Sequence, residues 1–318
     1  MLQRIRKLRE AGVVGINARN TRYVADCNPA RLMPKVNDKL QTKRIAEAAG
    51  VAAPRLYGLV EIQAQVRQLE RILDGQEDFV IKPALGAQGD GIMVIAQRMK
   101  GGWRTAGGAR VTDRELAFHL SNVLSGMYSM NGLTDVALLE ERVKFDPIFD
   151  AVSYKGVPDL RLLVYKGVPC MAMARLPTRE SDGKANLHKG GVGVGLDIAT
   201  GVTNGAVHNN RRTDEHPDTG NALDGIAVPQ WGEILRMAAD CYTQIGLGYL
   251  GVDLVLDRER GPLLLELNGR PGLAVQLANG CGLQGRLDAV DAAGPALRDT
   301  PSRVAFVHGT FGGRAEAA

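Results

Sequence analysis

Four stretches of this chain bring together residue types that can do chemistry. The first is FVIKPALGAQGDGIMVI, residues 79–95. An apolar strand ends in Lys82, a turn holds Gly86, Gly89 and Gly91 with Gln88 among them, and a second apolar strand leaves. Glycines let backbone N–H groups approach an anion, and a lysine beside them adds positive charge, so the stretch suits a phosphate. It is not the GxxxxGK[ST] loop, and no helix follows the glycines as a dinucleotide-binding turn requires. The plainer alternative is a glycine-rich hairpin with an exposed lysine. The second stretch is GVDLVLDRERGPLLLELNGRPGL, residues 251–273. Two strands around a tight turn place Asp253 on one and Glu266 and Asn268 on the other, and residues two apart on a strand share a face. Two carboxylates and an amide oxygen on one sheet face suit magnesium, which takes a few such oxygens together with substrate phosphates. Polar residues facing water are the alternative, but Leu263, Leu264, Leu265 and Leu267 surround them, and a buried acid needs a partner.

The third stretch runs from Asp159 to Gly191 and contains DLR (Asp159 to Arg161), Arg175, Lys184 and NLHKGG (Asn186 to Gly191). Cations and amide donors on a loop can hold a γ-phosphate and a substrate carboxylate and stabilise the negative charge that develops between them. His188 can act as a general base, and a positioning role is preferred for a lone loop histidine. The fourth, LLEERV (Leu138 to Val143), is a strand end whose backbone can meet a nucleobase edge; alone it reads as an ordinary strand end.

These residues need elements to hold them. Leu2 to Ala11 reads as a short basic helix, and residues 12–23 as irregular. Asp38 can cap a helix that runs to about Ala49 and stops at Gly50. Glu61 to Leu73 is a second helical stretch, and Thr112-Asp-Arg-Glu115 is a capping box opening a helix towards Leu124. Strands are expected at 79–82, 92–96, 136–141, 160–165, 168–174, 192–198, 202–207, 249–256 and 263–268, with Lys166-Gly167 as a hairpin turn. Gln230 to Ile245 is a long helix, and the last twenty or so residues read as loosely held. The pattern implies an α+β fold of antiparallel sheets with helices packed on them.

Composition narrows the classes. The 318 residues are 45% hydrophobic and 23% charged, which argues against global disorder, and no apolar run approaches the length of a membrane span. The start, MLQRIRKLRE, lacks the apolar stretch of a secretory signal. Cys27, Cys170, Cys241 and Cys281 lie far apart without a CxxC pair, which disfavours zinc or a disulfide framework and fits reduced thiols in a cytoplasm. Residues 1–60 hold 12 Lys+Arg against 4 Asp+Glu, while the remainder holds 27 against 31. A basic start favours an anionic partner, although a solvated basic helix accounts for it equally. Nucleic acid is not expected: aromatics are 5% of the chain and Tyr23 is the sole one before Tyr57, too few for a stacking platform.

Taken together and in order, NDK, the VIKP-glycine turn, the EE strand end, DLR, NLHKGG and D…ELN resemble the ATP-grasp superfamily, over about Asn37 to Gly282. The nearer resemblance is to the alpha-L-glutamate ligase-like proteins related to the ribosomal-protein glutamate ligases. The resemblance implies two α+β lobes whose antiparallel sheets clamp ATP: residues 38–142 with the glycine flap and 143–295 with the metal site, flanked by a basic arm at 1–37 and a tail at 296–318. It implies that Lys39 and Lys82 meet the ATP phosphates with Gly86, Gln88, Gly89 and Gly91. Glu140, Glu141 and Val143 would form the adenine hinge, and Asp159 a nucleotide contact. Arg175, Lys184, Asn186 and His188 would carry the chemistry. Asp253, Glu266 and Asn268 would hold two magnesium ions, manganese being the alternative, and Arg161, Arg270 and Gly272 would meet the acid substrate.

The implied reaction joins a carboxylate to an amine through an acyl-phosphate, releasing ADP and phosphate, with glutamate or another amino acid added to a peptide or small acid. Two departures shape the expectation. Only about 38 residues precede Lys39, so the substrate domain of such enzymes would be reduced to the basic arm. Acceptor recognition would then rest on Arg4, Arg6, Lys7, Arg19, Arg22 and Arg31 or on a partner protein, and a homo-oligomer is expected. The stretch 144–158 is longer than in the ribosomal-protein ligases and would cover the site or shape a different acceptor. The competing function is an ATP-binding regulatory protein that no longer ligates and acts with a partner; the intact set of costly acids speaks against it.

Overall fold

The computed structural model of the chain describes residues 2–86, 89–129 and 132–312. Two antiparallel sheets organise it. The first contains β1 (Leu56–Val60), β2 (Phe79–Pro83), β3 (Met93–Met99), β4 (Gly102–Thr105), β5 (Arg110–Val111) and β6 (Ala137–Glu140), in the spatial order β1-β6-β2-β3-β4-β5. The second contains β7 (Asp159–Tyr165), β8 (Val168–Leu176), β9 (Val192–Leu196), β10 (Thr203–His208), β11 (Arg211–Thr213), β12 (Tyr249–Asp257) and β13 (Gly261–Asn268), in the order β11-β10-β9-β8-β7-β12-β13. The α+β expectation is met. The strands β4, β5 and β11 are too short to leave an alternating pattern to read.

The helix Asp113–Leu124 covers the first sheet. Its Thr112 hydroxyl accepts from the Glu115 amide while the Glu115 carboxylate accepts from the Thr112 amide, the capping box read from the sequence. Phe79, Ile81, Ile95 and Leu139 meet Leu116 and Leu120 in this lobe's core. The helical stretch expected at 61–73 is two short helices, Gln63–Val66 and Leu69–Leu73. The helix Trp231–Ile245 backs the second sheet and buries Ile234, Leu235 and Ala238 among Leu162, Ala172 and Leu254.

The helix Lys39–Ala48 joins the lobes. The Asp38 carboxylate caps it by accepting from the Leu40 and Gln41 amides. Leu40 packs with Ala84 and Leu138 of the first lobe, while Ala46 and Ile45 enter the core of the second. The chain just after it continues the stitch, since the Leu264 amide of β13 donates to the Ala52 carbonyl at 2.8 Å.

Both ends of the chain depart from the sequence reading. Residues 16–27 are helical rather than irregular, and Val14, Tyr23, Val24 and Val36 lie in the core of the second lobe. Tyr23 stacks on Tyr249 with ring centroids 5.7 Å apart. The Asn28 amide nitrogen donates to the carbonyls of Tyr249 and Gly269, both at 2.8 Å. Past Gly12 the segment is therefore part of the lobe and not an arm. At the other end, Thr300–Phe306 is a helix whose Arg303 is buried over the Tyr242 ring, and Val307 and Phe311 are buried. Residues 300–311 are thus packed, because two large apolar side chains find room against the sheet. Among the described residues no helix is long and apolar enough to cross a membrane.

Candidate active site

The cleft between the lobes begins as a cation cluster. Lys39 and Lys43 lie one turn apart on the same helix, so both point the same way. A small cavity is lined by Lys39, Lys43, Lys82 and Glu140 from one lobe and by Leu264 and Leu265 from the other. Lys82 leaves β2 and meets Glu140 of the adjacent β6, Nζ to Oε2 2.7 Å. Lys43 meets the other oxygen of the same carboxylate at 3.2 Å and also donates to the Pro54 carbonyl. Lys39 donates to the Gly86 carbonyl and so ties the helix to the glycine flap. Burial opposes the charge on Glu140, and the ammonium groups of Lys82 and Lys43 outweigh it, holding the carboxyl below its usual range. Burial pulls the Lys43 ammonium below its ordinary pKa, against the attraction of Glu140. Three lysines lining a pocket with one buried carboxylate leave excess positive charge, the condition that an oligophosphate relieves.

The second sheet supplies an acid–arginine ladder on one face. Register pairs Asp253 with Arg161 on one side and with Glu266 on the other, and Asp159 with Arg175. Arg161 Nε donates to Asp253 Oδ1 at 2.7 Å, Arg161 Nη2 to Oδ2, and Arg175 Nη2 to the same Oδ2 at 2.8 Å. Arg175 also forks onto Asp159 with two bonds of 2.5 Å. Burial disfavours both carboxylates. The guanidinium groups of Arg161 and Arg175 overcome it at Asp253, which is held down to about 2. At Asp159 burial wins over Arg175, the charge of Asp253 adds to it, and the carboxyl is pushed up to about 6.

Next along this face come Glu266 and Asn268, the latter opposite Gly251. The register steps from Asp253–Glu266 to Leu254–Leu264, so Leu265 is an extra residue in β13. This bulge places Glu266 and Leu264 on opposite faces although they are two apart, and bulges that re-aim a side chain recur beside active sites. The Asn268 side-chain oxygen accepts from the Arg270 amide at 2.9 Å, which orients it. Among the described residues no group of three or more His, Cys, Asp or Glu forms a metal cage. The donor set of Glu266, Asn268 and Asp253 nonetheless fits magnesium, which needs few protein oxygens and keeps sites for water and phosphate. Asp253 Oδ2 accepts from two arginines, whereas Oδ1 accepts from one and retains lone-pair capacity for an ion.

Two loops close the cleft from either side. In the flap, Gly91 has φ +75°, and a Cβ there would stand 2.5 Å from the Tyr128 ring and 2.7 Å from Pro83, so only glycine fits. Opposite, Asn186 caps the short helical turn Leu187–Lys189 by accepting from the His188 amide at 2.9 Å. Lys189 of that turn meets Asp90 of the flap, Nζ to Oδ1 2.8 Å.

The structure brings Lys39, Lys82 and Glu140 together, and Asp159, Arg161, Arg175, Asp253, Glu266 and Asn268 together. Lys184 and His188 are exposed on the loop, and Arg270 is exposed beyond Asn268 with Gly272 half-buried. Gly86 and Gly89 lie in the flap, whereas Gln88 and the side chain of Arg4 fall outside the described residues. Two hinge residues face away from the cavity. The Glu141 carboxylate accepts from Arg260 at 2.6 Å, and Val143 is buried with Val255 and Leu263. Lys43, Asp90 and the bulge at Leu265 were missed by sequence reading. The i, i+4 spacing of Lys39 and Lys43 was the available signal for the first; the other two leave none in the sequence.

The family described as sugar-transfer associated ATP-grasp matches residues 18–292. A protein of Parasynechococcus marenigrum (strain WH8102) named "Probable alpha-L-glutamate ligase" is 25% identical over 259 residues, 81% of this chain and 41% of its own. The chain thus spans about two fifths of the curated relative it matches. Among solved structures, the ATP-grasp ligase PsnB complexed with minimal precursor aligns with a TM-score of 0.46 and 15% identity over 84% of this chain and 63% of its own. The D-alanine–D-alanine ligase of Bacillus anthracis complexed with ATP aligns with a TM-score of 0.44 and 13% identity over 87% and 67%. With a family match that spans both sheets and every residue of the cleft described above, the chain belongs to the sugar-transfer associated ATP-grasp family.

Proposed function

We propose that this protein is an ATP-dependent carboxylate–amine ligase that forms an amide or peptide bond through an acyl-phosphate, with ADP and phosphate as products. The observation that carries the reading is the pairing of a three-lysine cavity with an acid–amide row on the neighbouring sheet face. A carboxylate and a triphosphate repel each other, so a site that joins them must supply positive charge and fixed geometry more than a covalent group. Lys39 and Lys82 meet the phosphates, with Lys43 beside them. The flap glycines present backbone donors, and the adenine lies against the strand end at Glu140 to Val143. Arg161 and Arg175 stand at the ladder end, where the carboxylate and the transferred phosphoryl group meet, and offset the charge that builds there. Lys184 and Asn186 stand on the acceptor side, His188 with them as a positioning group.

In the reaction the carboxylate oxygen bonds to the γ-phosphorus as its bond to the β-phosphate bridge breaks, releasing ADP. The amine then bonds to the acyl carbon, loses a proton, and phosphate leaves. Magnesium held by Glu266 and Asn268 with Asp253 would add positive charge at the phosphates. An amino acid joined to a peptide or small acid, glutamate included, is the substrate class proposed.

The test is ADP and phosphate release from purified protein with magnesium-ATP, across the twenty amino acids and short acidic peptides, beside Lys82→Ala. Acceptor-dependent release lost in Lys82→Ala supports the ligase. Tight ATP binding without release across every pool favours a nucleotide-binding protein that acts with a partner.

A further inference from the structure

The loop from Pro177 to Gly191 is fastened from within at its roots. The Thr178 hydroxyl donates to the Gly190 carbonyl at 2.7 Å, and His216 Nε2 stands 3.1 Å from the Pro177 carbonyl. The outer end of the loop, residues 182–184, leans instead on the segment 144–158. There Lys155 and Gly156 both have positive φ, +41° and +87°, and they face Asp182 and Gly183 at +51° and +72°. The two turns meet backbone to backbone: a Cβ on Gly156 would lie 1.9 Å from the Gly183 carbonyl oxygen. Beside this contact the Tyr154 amide donates to the Pro177 carbonyl at 3.1 Å. The Tyr154 ring carries the Arg179 guanidinium 5.2 Å from its centroid. The far side of the segment is tied down, since the Asn221 side chain donates to the Ala151 carbonyl at 2.6 Å.

We propose that the segment 144–158 is the outer wall of the acceptor site, and that Gly156 and Tyr154 are positioning residues that set where Lys184 and Asn186 stand. This rests on the ligase reading above and deepens it, because it assigns acceptor selection to this segment. The physical reason is contact without slack. Lys184 follows Gly183 directly, and the missing Cβ of Gly156, with that of Gly183 facing it, lets the two turns approach. A side chain there must push Gly183 outward, and a displacement of about 1 Å near a reacting group costs up to about 100-fold in rate.

The experiment uses the full chain with Gly156→Val and with Tyr154→Leu beside Tyr154→Phe, which keeps the ring. Hydrogen exchange over residues 178–191 is measured first, since it needs no substrate, and steady-state ADP release with the acceptor that activates the wild type follows. Faster exchange at 182–186 in Gly156→Val and Tyr154→Leu is expected, with wild-type exchange in Tyr154→Phe. The acceptor kcat/KM is expected to fall about 10- to 100-fold while the KM for ATP stays put. Unchanged exchange, or a parallel rise of the KM for ATP, overturns the proposal. If the wild type releases no ADP with any acceptor, the ligase reading fails, and exchange alone decides whether this segment positions the loop. If circular dichroism shows Gly156→Val unfolded, the Tyr154 pair decides in the same way.

Discussion

Lys82 Nζ stands 2.7 Å from Glu140 Oε2, and both side chains are largely withdrawn from water. Lys43 holds the other oxygen of that carboxylate, so one acid anchors two lysines that line the cavity. Removing one partner of a buried ion pair leaves the other charge stranded. Glu140→Gln is therefore expected to lower stability by about 3–5 kcal/mol in urea denaturation. It should also weaken ATP binding by calorimetry, because neither lysine keeps its place. Lys82→Met should weaken ATP binding with a much smaller loss of stability, since Lys43 remains to pair with Glu140. Equal stability losses in the two variants would refute the anchoring role.

Asp253 and Glu266 face each other across two strands but should respond differently to substitution. Asp253 is 1% exposed and bound by two guanidinium groups, so Asp253→Asn strands Arg161, leaves Arg175 to Asp159 alone, and should cost about 3–5 kcal/mol. Glu266 forms no salt bridge among the described residues and borders the arginine ladder only through Asp253 and the charge of Arg175. Glu266→Gln should thus melt like the wild type yet lose the magnesium dependence of ATP binding, measured by titrating the metal into a nucleotide-binding assay. A Glu266→Gln protein that still ligates at the wild-type rate would contradict the proposed donor set.

His216 gives the pH dependence a definite sign. It is 1% exposed, its Nδ1 accepts from the Asp218 amide, and burial lowers its pKa. The folded state therefore binds fewer protons than the unfolded chain just below the ordinary histidine pKa of about 6.5. The stability that neutral His216 supports is whole above that value and declines as pH falls from about 7 towards 5. The difference in urea midpoint between wild type and His216→Gln should shrink over that window; a difference that grows on acidification would show the sign to be wrong.

Asp90 and Lys189 join the flap to the opposite loop at 2.8 Å, with Asp90 open to solvent. An exposed pair of this kind contributes little to global stability and is screened by salt. Asp90→Asn is expected to leave the melting temperature unchanged and to speed nucleotide dissociation, seen by stopped flow at low ionic strength and fading at high. No change in the dissociation rate at low salt would remove the pair from any role in holding the flap.

Much of this protein is written in local patterns. The cap at Asp38, the capping box at Thr112 and the alternation that places Glu266 and Asn268 on one face all depend on neighbours within a few residues, which a linear reading sees. Tertiary structure decided the rest, because the deciding contacts join residues far apart in the chain. Lys43 became a cleft residue only when β6 brought Glu140 to it, and Tyr23 became core only when Tyr249 and Tyr165 surrounded it. Residues 300–311 looked loose because apolar side chains such as Val307 and Phe311 gain burial only once the second sheet exists. Local order follows from spacing and propensity. Which charges face each other across the cleft follows from the register of strands up to about a hundred residues apart, such as Arg161 against Asp253, and no local pattern encodes that register.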